Sequence, residues 1–293
     1  MIQFLHNFLP QPILLHLAFL QIHWYGFLIA LGALAGFGAV YSLARQYGIK
    51  KDDIYNLTFY LVIFGLIGDR LYYVFYAWPY YSQHLLDIFK IWEGGLAIHG
   101  AMIAGVLVIY IYGQRHKINF WLLLDIFIIA LPLAMAFGRW GNYFNQELFG
   151  RPTSLPWGIP ISPEKRPPEF VNFNYFHPTF LYESLWNMLI FAFLYAWHKL
   201  RLARLGTASH DASRSQVKYK NNLEQIQGLG NIALVYFILY SVGRFLNEYL
   251  RLDYSPYFLG VRWAQVFSLL IILSCLAVII LKKIHSKKSE LET

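Results

Sequence analysis

The chain has 293 residues, of which 57% are hydrophobic and 19% aromatic but only 14% charged. Soluble domains carry about a quarter charged residues, so the deficit excludes a soluble globular protein and indicates an integral membrane protein. The formal net charge of +8 does not call for a nucleic-acid partner, because the basic residues sit between apolar runs, where they set membrane orientation.

The start, "MIQFLHNFLPQP", has neither a basic leading region nor a small-residue cleavage site. No cleaved signal peptide is expected, and a short interfacial stretch is expected before the first span. Apolar runs near the ~20 residues that cross a bilayer as a helix fall at roughly 20–43, 57–77, 96–113, 119–137, 180–198, 229–248 and 261–281. They predict an all-α polytopic membrane protein with about seven transmembrane helices, forming a single integral-membrane domain over 1–293. Periodicity of 3.6 is weak inside the runs, as expected where lipid covers the outside. The single cysteine, Cys275, lies in the last run, so no disulfide framework or cysteine zinc site is available.

Fifteen Lys and Arg residues fall in the first, third and fifth connections and the C-terminal tail, against seven on the opposite side. The positive-inside rule puts the N-terminus outside and the C-terminus in the cytoplasm. Two connections are long. Residues 150–178 hold seven prolines and predict an ordered or extended extracytoplasmic loop. Residues 199–228, with "GTASHDASRSQVKYKNN", predict a flexible basic cytoplasmic loop. No internal repeat is visible, so an inverted-repeat transporter gains no support.

Several polar residues are out of place in such a chain. An arginine at the centre of a spanning helix costs about 2.5–3.5 kcal/mol on insertion scales and usually marks a functional site, whereas one near a helix end can simply snorkel to the headgroups. Arg139 ends the fourth run. Asn142 and Asn145 follow at steps of three, on one face if the helix continues, and Glu147, Gly150 and Arg151 come next. Near the outer end of the sixth run, Tyr240, Arg244, Glu248 and Arg251 form one stripe. The Arg244–Glu248 pair reads either as structural or as part of a phosphate site, because guanidinium forks match phosphate oxygens.

His99 starts the third run among glycines and reads either as structural or as a proton-transfer group, with an ordinary pKa of ~6.5. Tyr25, in "HWYG", fits an aromatic belt. Asp69 and Arg70 read as a local pair, with Arg70 also eligible as a third anion contact. Tyr182 and Glu183 fit outer support for the site, and Asp125 a structural role. The residues alone lead to a protein that binds a phosphate-bearing lipid near the outer leaflet.

The stretch "GRWGNYFNQELFGR" at 138–151 resembles the signature of the bacterial prolipoprotein diacylglyceryl transferase family, G-R-x-x-N-x-x-N-x-E-x-x-G-R. The resemblance covers most of the chain. "HWYG" (23–26), "GDRLYYVFY" (68–76), "IWEGGLAIHG" (91–100), "HPTFLYE" (177–183) and "GRFLNEYLR" (243–251) follow in the family's order. Two positions depart from the pattern: Ala101 stands where a second glycine is common after the histidine, and Gln146 where glycine is common before the glutamate.

The resemblance implies transfer of the diacylglyceryl group of phosphatidylglycerol to the lipobox cysteine of a prolipoprotein signal peptide, in the bacterial inner membrane. The products are a thioether and glycerol 1-phosphate, and no metal or cofactor is implied. On that reading Arg139 and Arg244 hold the phosphate, and His99 takes the thiol proton or positions the headgroup. Asn142, Asn145 and Glu147 orient the headgroup or the arginines. Glu248 orients Arg244, Tyr25 contacts lipid or leaving group, Tyr240 belongs to the substrate-binding set, and Gly150 lets the backbone pass close. A nucleotide-activated phosphatidyltransferase would need an aspartate-rich metal motif, and a rhomboid-type protease a G-x-S-G serine; both are absent from the sequence. A phospholipid or anion transporter, or a lipid-binding homologue without catalysis, stays open.

Overall fold

The computed structural model describes residues 2–17, 20–204, 228–253 and 255–292. Most of the predicted loop at 199–228 lies outside the described residues. Its first six residues are helical, because the preceding helix runs on to Arg204. The described chain falls into two compact units, one of residues 1–40, 128–201 and 231–293 and the other of 41–127 and 202–230.

The described residues are mainly helical. α1 (Ile2–Asn7) is the short stretch before the first span. A hairpin of β1 (Ile13–Leu17) and β2 (Leu20–His23) follows, and α2 begins only at Trp24 and reaches Gln46. The predicted first span therefore takes in strand residues at its start. An unbroken apolar run carries no period to separate strand from helix. α3 covers Lys51–Tyr76, α4 Trp78–Tyr81 and α5 Ile98–His116. α6 (Phe120–Phe127) and α7 (Ala130–Asn145) together make the fourth run, and α8 covers Thr179–Arg204. α9 (Asn231–Asn247) and α10 (Trp263–Glu292) complete the helices. Two more small antiparallel pairs, β3 (Ile159–Pro160) with β4 (Tyr175–Phe176) and β5 (Tyr257–Phe258) with β6 (Val261–Arg262), qualify the all-α expectation.

Five helical segments are long and apolar enough to cross a membrane: Trp24–Gln46, Lys51–Tyr76, Phe120–Asn145, Thr179–Ala203 and Trp263–Ile284. The other two expected spans are helices of lesser length or hydropathy. α9 has 17 residues. α5 has 19 and carries His99 at one end and Arg115 and His116 at the other. Only 17% of the last span is buried against protein, against 56% of Phe120–Asn145. The fourth run, which ends in the polar motif, is thus the best covered of the five.

In the second unit α3 and α5 cross at Gly68 and Gly100. A methyl group at Gly100 would lie 2.0 Å from the Gly68 carbonyl oxygen, so no side chain fits there. Asn119 caps α6, accepting the amides of Trp121 at 2.9 Å and Leu122 at 3.2 Å. Asp125, fully buried, accepts the Gly230 amide at 2.9 Å, a structural role.

Arg70 is 6% exposed and donates to the carbonyls of Ile88 (2.8 Å), Asp87 (2.5 Å), Gly94 (2.6 Å), Gly95 (2.9 Å) and Lys90 (3.4 Å). It clamps the 87–95 segment and has no donor left for an anion, which corrects the reading of Arg70 as a third anion contact. Its partners are carbonyls rather than the adjacent Asp69 carboxylate.

In the first unit the proline-rich segment packs on a core that it shares with α1, α7 and α8. Leu5 of α1 packs with Tyr143, Phe149, Ile159, Ile161, Phe176 and Phe180. His6 stacks on Tyr175 at 4.0 Å and bonds the Gly158 carbonyl through Nδ1 at 2.7 Å. The N-terminal helix is thereby tied to the 150–178 segment.

Candidate active site

Of the site residues read from the sequence, His99 and Arg70 lie in the second unit and the others in the first. α7 presents Arg139, Asn142 and Asn145 at helical steps of three and then stops. Gln146 takes a left-handed conformation (φ 53°), and its amide caps the carbonyls of Asn142 and Tyr143. That turn brings Glu147 back beneath the helix end. Glu147 Oε1 accepts Asn142 Nδ2 at 2.8 Å and Asn145 Nδ2 at 3.3 Å, while Asn142 Oδ1 accepts Arg139 Nη1 at 3.3 Å.

The left-handed turn explains why glycine is common at position 146 and how glutamine is accommodated. A side chain in this conformation costs roughly 1–2 kcal/mol. The amide of Gln146 donates to the Pro10 carbonyl at 2.9 Å, and its oxygen accepts the Ser162 amide at 2.7 Å. Two such bonds, at about 1 kcal/mol each, offset the strain and tie the N-terminal segment to the proline-rich one.

Gly150 sits where three segments meet. Its amide donates to His177 O at 2.9 Å, and its neighbour Arg151 donates to Leu250 O at 2.8 Å. A methyl at Gly150 would lie 2.8 Å from His177 Cβ and 2.9 Å from Leu250 O. This close backbone passage is what joins the motif to the residues beyond α9.

α8 and α9 supply the rest. Glu183 is buried on α8 and is shared. Its Oε2 pairs with Arg139 Nε, its Oε1 accepts Asn247 Nδ2 and lies 3.5 Å from Arg251 Nη1, and Arg244 Nη1 is 4.0 Å away. On α9, Arg244 Nη1 pairs with Glu248 Oε2 at 2.6 Å, one turn apart. The side chain of Glu248 is completely buried, and Arg262 Nε lies 3.1 Å from its other oxygen. Arg262 also bonds the carbonyls of Glu248 (3.1 Å), Arg251 (2.8 Å) and Asp253, stapling the chain that leaves α9.

Arg251 Nε holds Asp253 at 2.6 Å. Burial alone would raise the Asp253 carboxyl, but the Arg251 bond and the charges of Arg251, Arg244 and Arg262 hold it below the usual carboxylate range.

Four guanidinium groups, of Arg139, Arg244, Arg251 and Arg262, thus meet the carboxylates of Glu183, Glu248 and Asp253, with Glu147 held nearby by Asn142 and Asn145. The groups balance in charge, so any pull on an anion comes from local donor geometry. Among the described residues, Nη2 of Arg139 and both Nε and Nη2 of Arg244 make no hydrogen bond to protein. These two arginines line a cavity of about 210 Å³ with Tyr182, Glu183, Trp186 and Tyr240. A second cavity of about 460 Å³ lies beside Asn145 and Glu147 and reaches Lys165 and Asp253.

Tyr240 stacks on Tyr236 with centroids 5.9 Å apart. Tyr25 lies against the bare flank of Gly141, whose absent side chain leaves room for the ring. His99 belongs to the second unit, where it opens α5 and stacks on Tyr72 at 5.7 Å. Among the described residues no three His, Cys, Asp or Glu side chains converge as a metal site would require.

Glu183 carries far more of the site than outer support implies, and Asn247 and Arg262 were not singled out from the sequence. The signal for Glu183 was available: a carboxylate inside an apolar helix needs a cationic partner by the same argument that flags the arginines.

The family model for prolipoprotein diacylglyceryl transferase matches residues 12–281. A relative from Synechocystis sp. is 42% identical over 267 residues, covering 90% of this chain and 86% of its own. One from Fervidobacterium nodosum is 41% identical over 253 residues, covering 86% of this chain and 78% of its own. Both carry the name phosphatidylglycerol–prolipoprotein diacylglyceryl transferase. The chain, matched over most of its length by the family model and by relatives about 42% identical, belongs to the prolipoprotein diacylglyceryl transferase family.

Proposed function

We propose that this protein transfers the sn-1,2-diacylglyceryl group of phosphatidylglycerol to the lipobox cysteine thiol of a prolipoprotein signal peptide, forming a thioether and releasing glycerol 1-phosphate. The observation that carries this reading is that Arg139 and Arg244 line one small cavity, each with guanidinium nitrogens that make no hydrogen bond to protein, while Glu183 and Glu248 hold their side chains in place. Donors fixed in advance where charge develops are an effective catalytic device. As the bond from the glyceryl carbon to the phosphate oxygen breaks, charge grows on the phosphate, and the two forks stabilise it. Glu183 and Glu248 orient the arginines, and Asn142, Asn145 and Glu147 fix the turn beside them. Tyr25 and Tyr240 present aromatic faces to lipid, and Gly150 keeps the segments in register. His99 enters this proposal through the sequence motif alone.

The nucleophile comes from the substrate, so no enzyme cysteine takes part, and Cys275 lies in the last span. On this reading the chain crosses the bacterial inner membrane about seven times as one integral domain, with α5 and α9 added to the five long spans. The N-terminus and the 150–178 segment lie on the outer side and the C-terminus in the cytoplasm.

The test mixes purified protein with phosphatidylglycerol and a lipobox peptide in detergent. The diacylglyceryl adduct is read by mass, and glycerol phosphate is assayed in parallel. Adduct with the wild type and none with Arg139→Ala is expected. A folded wild type that yields no adduct from any phospholipid offered overturns the proposal in favour of lipid binding or transport.

A further inference from the structure

The transfer proposed above needs a group that takes the thiol proton. An ordinary cysteine, with pKa near ~8.5, is only a few per cent thiolate at pH 7. Beside the two arginines the cavity wall includes Tyr182. Its hydroxyl is tied on two sides: Trp157 Nε1 lies 2.9 Å away and His177 Nδ1 3.2 Å away. The indole N–H can only donate, so it occupies one lone pair of the phenolic oxygen. With the phenolic proton directed to His177 Nδ1, one lone pair of the oxygen remains, and it can accept a proton donor from the cavity.

His177 is held firmly. Its amide donates to Arg151 O at 3.0 Å, and its carbonyl accepts the amides of Gly150 and Thr179, each at 2.9 Å. Burial pushes its imidazole below the ordinary value, which keeps it neutral and able to accept near pH 7. The charged and titratable groups on the segments packed around it are Arg151, Arg251, Tyr182 and Glu183.

Resting on the proposed transfer, we infer that Tyr182 receives the substrate thiol's proton while passing its own to His177, so that these two residues form the base of the reaction. The S–H proton moves to Tyr182 Oη as the phenolic proton moves to His177 Nδ1. The thiolate forms the C–S bond to the terminal glyceryl carbon. The C–O bond to phosphate breaks, and its electron pair stays on the phosphate, beside Arg139 and Arg244. The imidazolium then returns its proton to the phosphate monoester or to water. Trp157, donating to the phenolic oxygen, stabilises the charge that Tyr182 carries in passing.

The experiment measures kcat and KM for phosphatidylglycerol from pH 6 to 9 in wild type, Tyr182→Phe, His177→Gln and His99→Gln, with thermal unfolding as a control. Positioned bases contribute about 10²–10⁴-fold. Tyr182→Phe and His177→Gln are each expected to lower kcat by about 100-fold at pH 7, with KM within about 3-fold of wild type. Raising the pH to 9 ionises the peptide thiol without a base and should restore roughly 10- to 30-fold of that loss. A raised KM with kcat kept, or a loss that is the same at every pH, overturns the relay and leaves a packing role. Restoration at high pH in His99→Gln alone also overturns it. A wild type that makes no adduct defeats the transfer reading itself, whereas adduct from both wild type and Tyr182→Phe at equal rates defeats only the relay.

Discussion

Arg70 on α3 and the pair Arg139 and Arg244 on α7 and α9 look alike on a hydropathy scale: each is an arginine within or at the end of an apolar helix. Their surroundings differ in kind. Arg70 spends its donors on five neutral carbonyls of one short segment and keeps none. Arg139 and Arg244 are each gripped by carboxylates on one side and keep unpartnered nitrogens beside a cavity. A saturated guanidinium holds the chain together; a half-used one, fixed by its counter-charge, is ready for a ligand. Arg70 is also the most buried of the three, but counting donors states the difference in function.

The contrast breaks first on activity. Arg139→Ala and Arg244→Ala should each lower turnover by at least about 10²–10³-fold, the usual scale for removing a fixed oxyanion donor. Arg139→Lys should recover little, because an ammonium cannot span a carboxylate and a phosphate as a planar fork does. If a folded Arg139→Ala keeps wild-type turnover, the distinction between the two kinds of arginine fails.

Arg70→Ala is the reverse case. It leaves five partly buried carbonyls without that donor and should cost about 1–3 kcal/mol of stability, read as thermal or denaturant unfolding. Protein that still folds should keep its kcat. Gln146→Gly sharpens the account of the family departure. It removes two hydrogen bonds and relieves a strained turn, so stability should change by less than about 1 kcal/mol, with turnover near wild type.

The smallest effect expected is in acid. Asp253 has its folded pKa depressed, so its contribution to stability is complete above the unfolded value of ~3.9 and is lost as the pH falls through the lower folded value. Unfolding measured between pH 5 and 2 should steepen in the wild type and flatten in Asp253→Asn.

Much of this was legible in the sequence because it rests on local physics. A dense polar motif at the end of an apolar helix and the i, i+4 pair of Arg244 and Glu248 each follow from spacing. What could not be read depends on distant segments meeting. The sequence cannot show that Glu183 reaches α7, α9 and the chain beyond α9 together, or that Arg262 folds back onto Glu248. It cannot show that Tyr182 stands between Trp157 and His177. The hairpin at 13–23 was hidden for a different reason, since an apolar run without alternation suits strand and helix equally. Arg70 misled because its partners are backbone carbonyls, which every residue has and no motif displays.

Glu183, held in common by Arg139, Asn247 and Arg251, has a consequence for how such a protein varies over generations. Three positions on separate segments answer to one carboxylate, so a replacement at any of them alters the worth of the other two. Losing Glu183 from a chain that already lacks Arg139 should do less harm than losing it first. Drift through this site would therefore be tolerated as linked sets of changes and resisted one residue at a time.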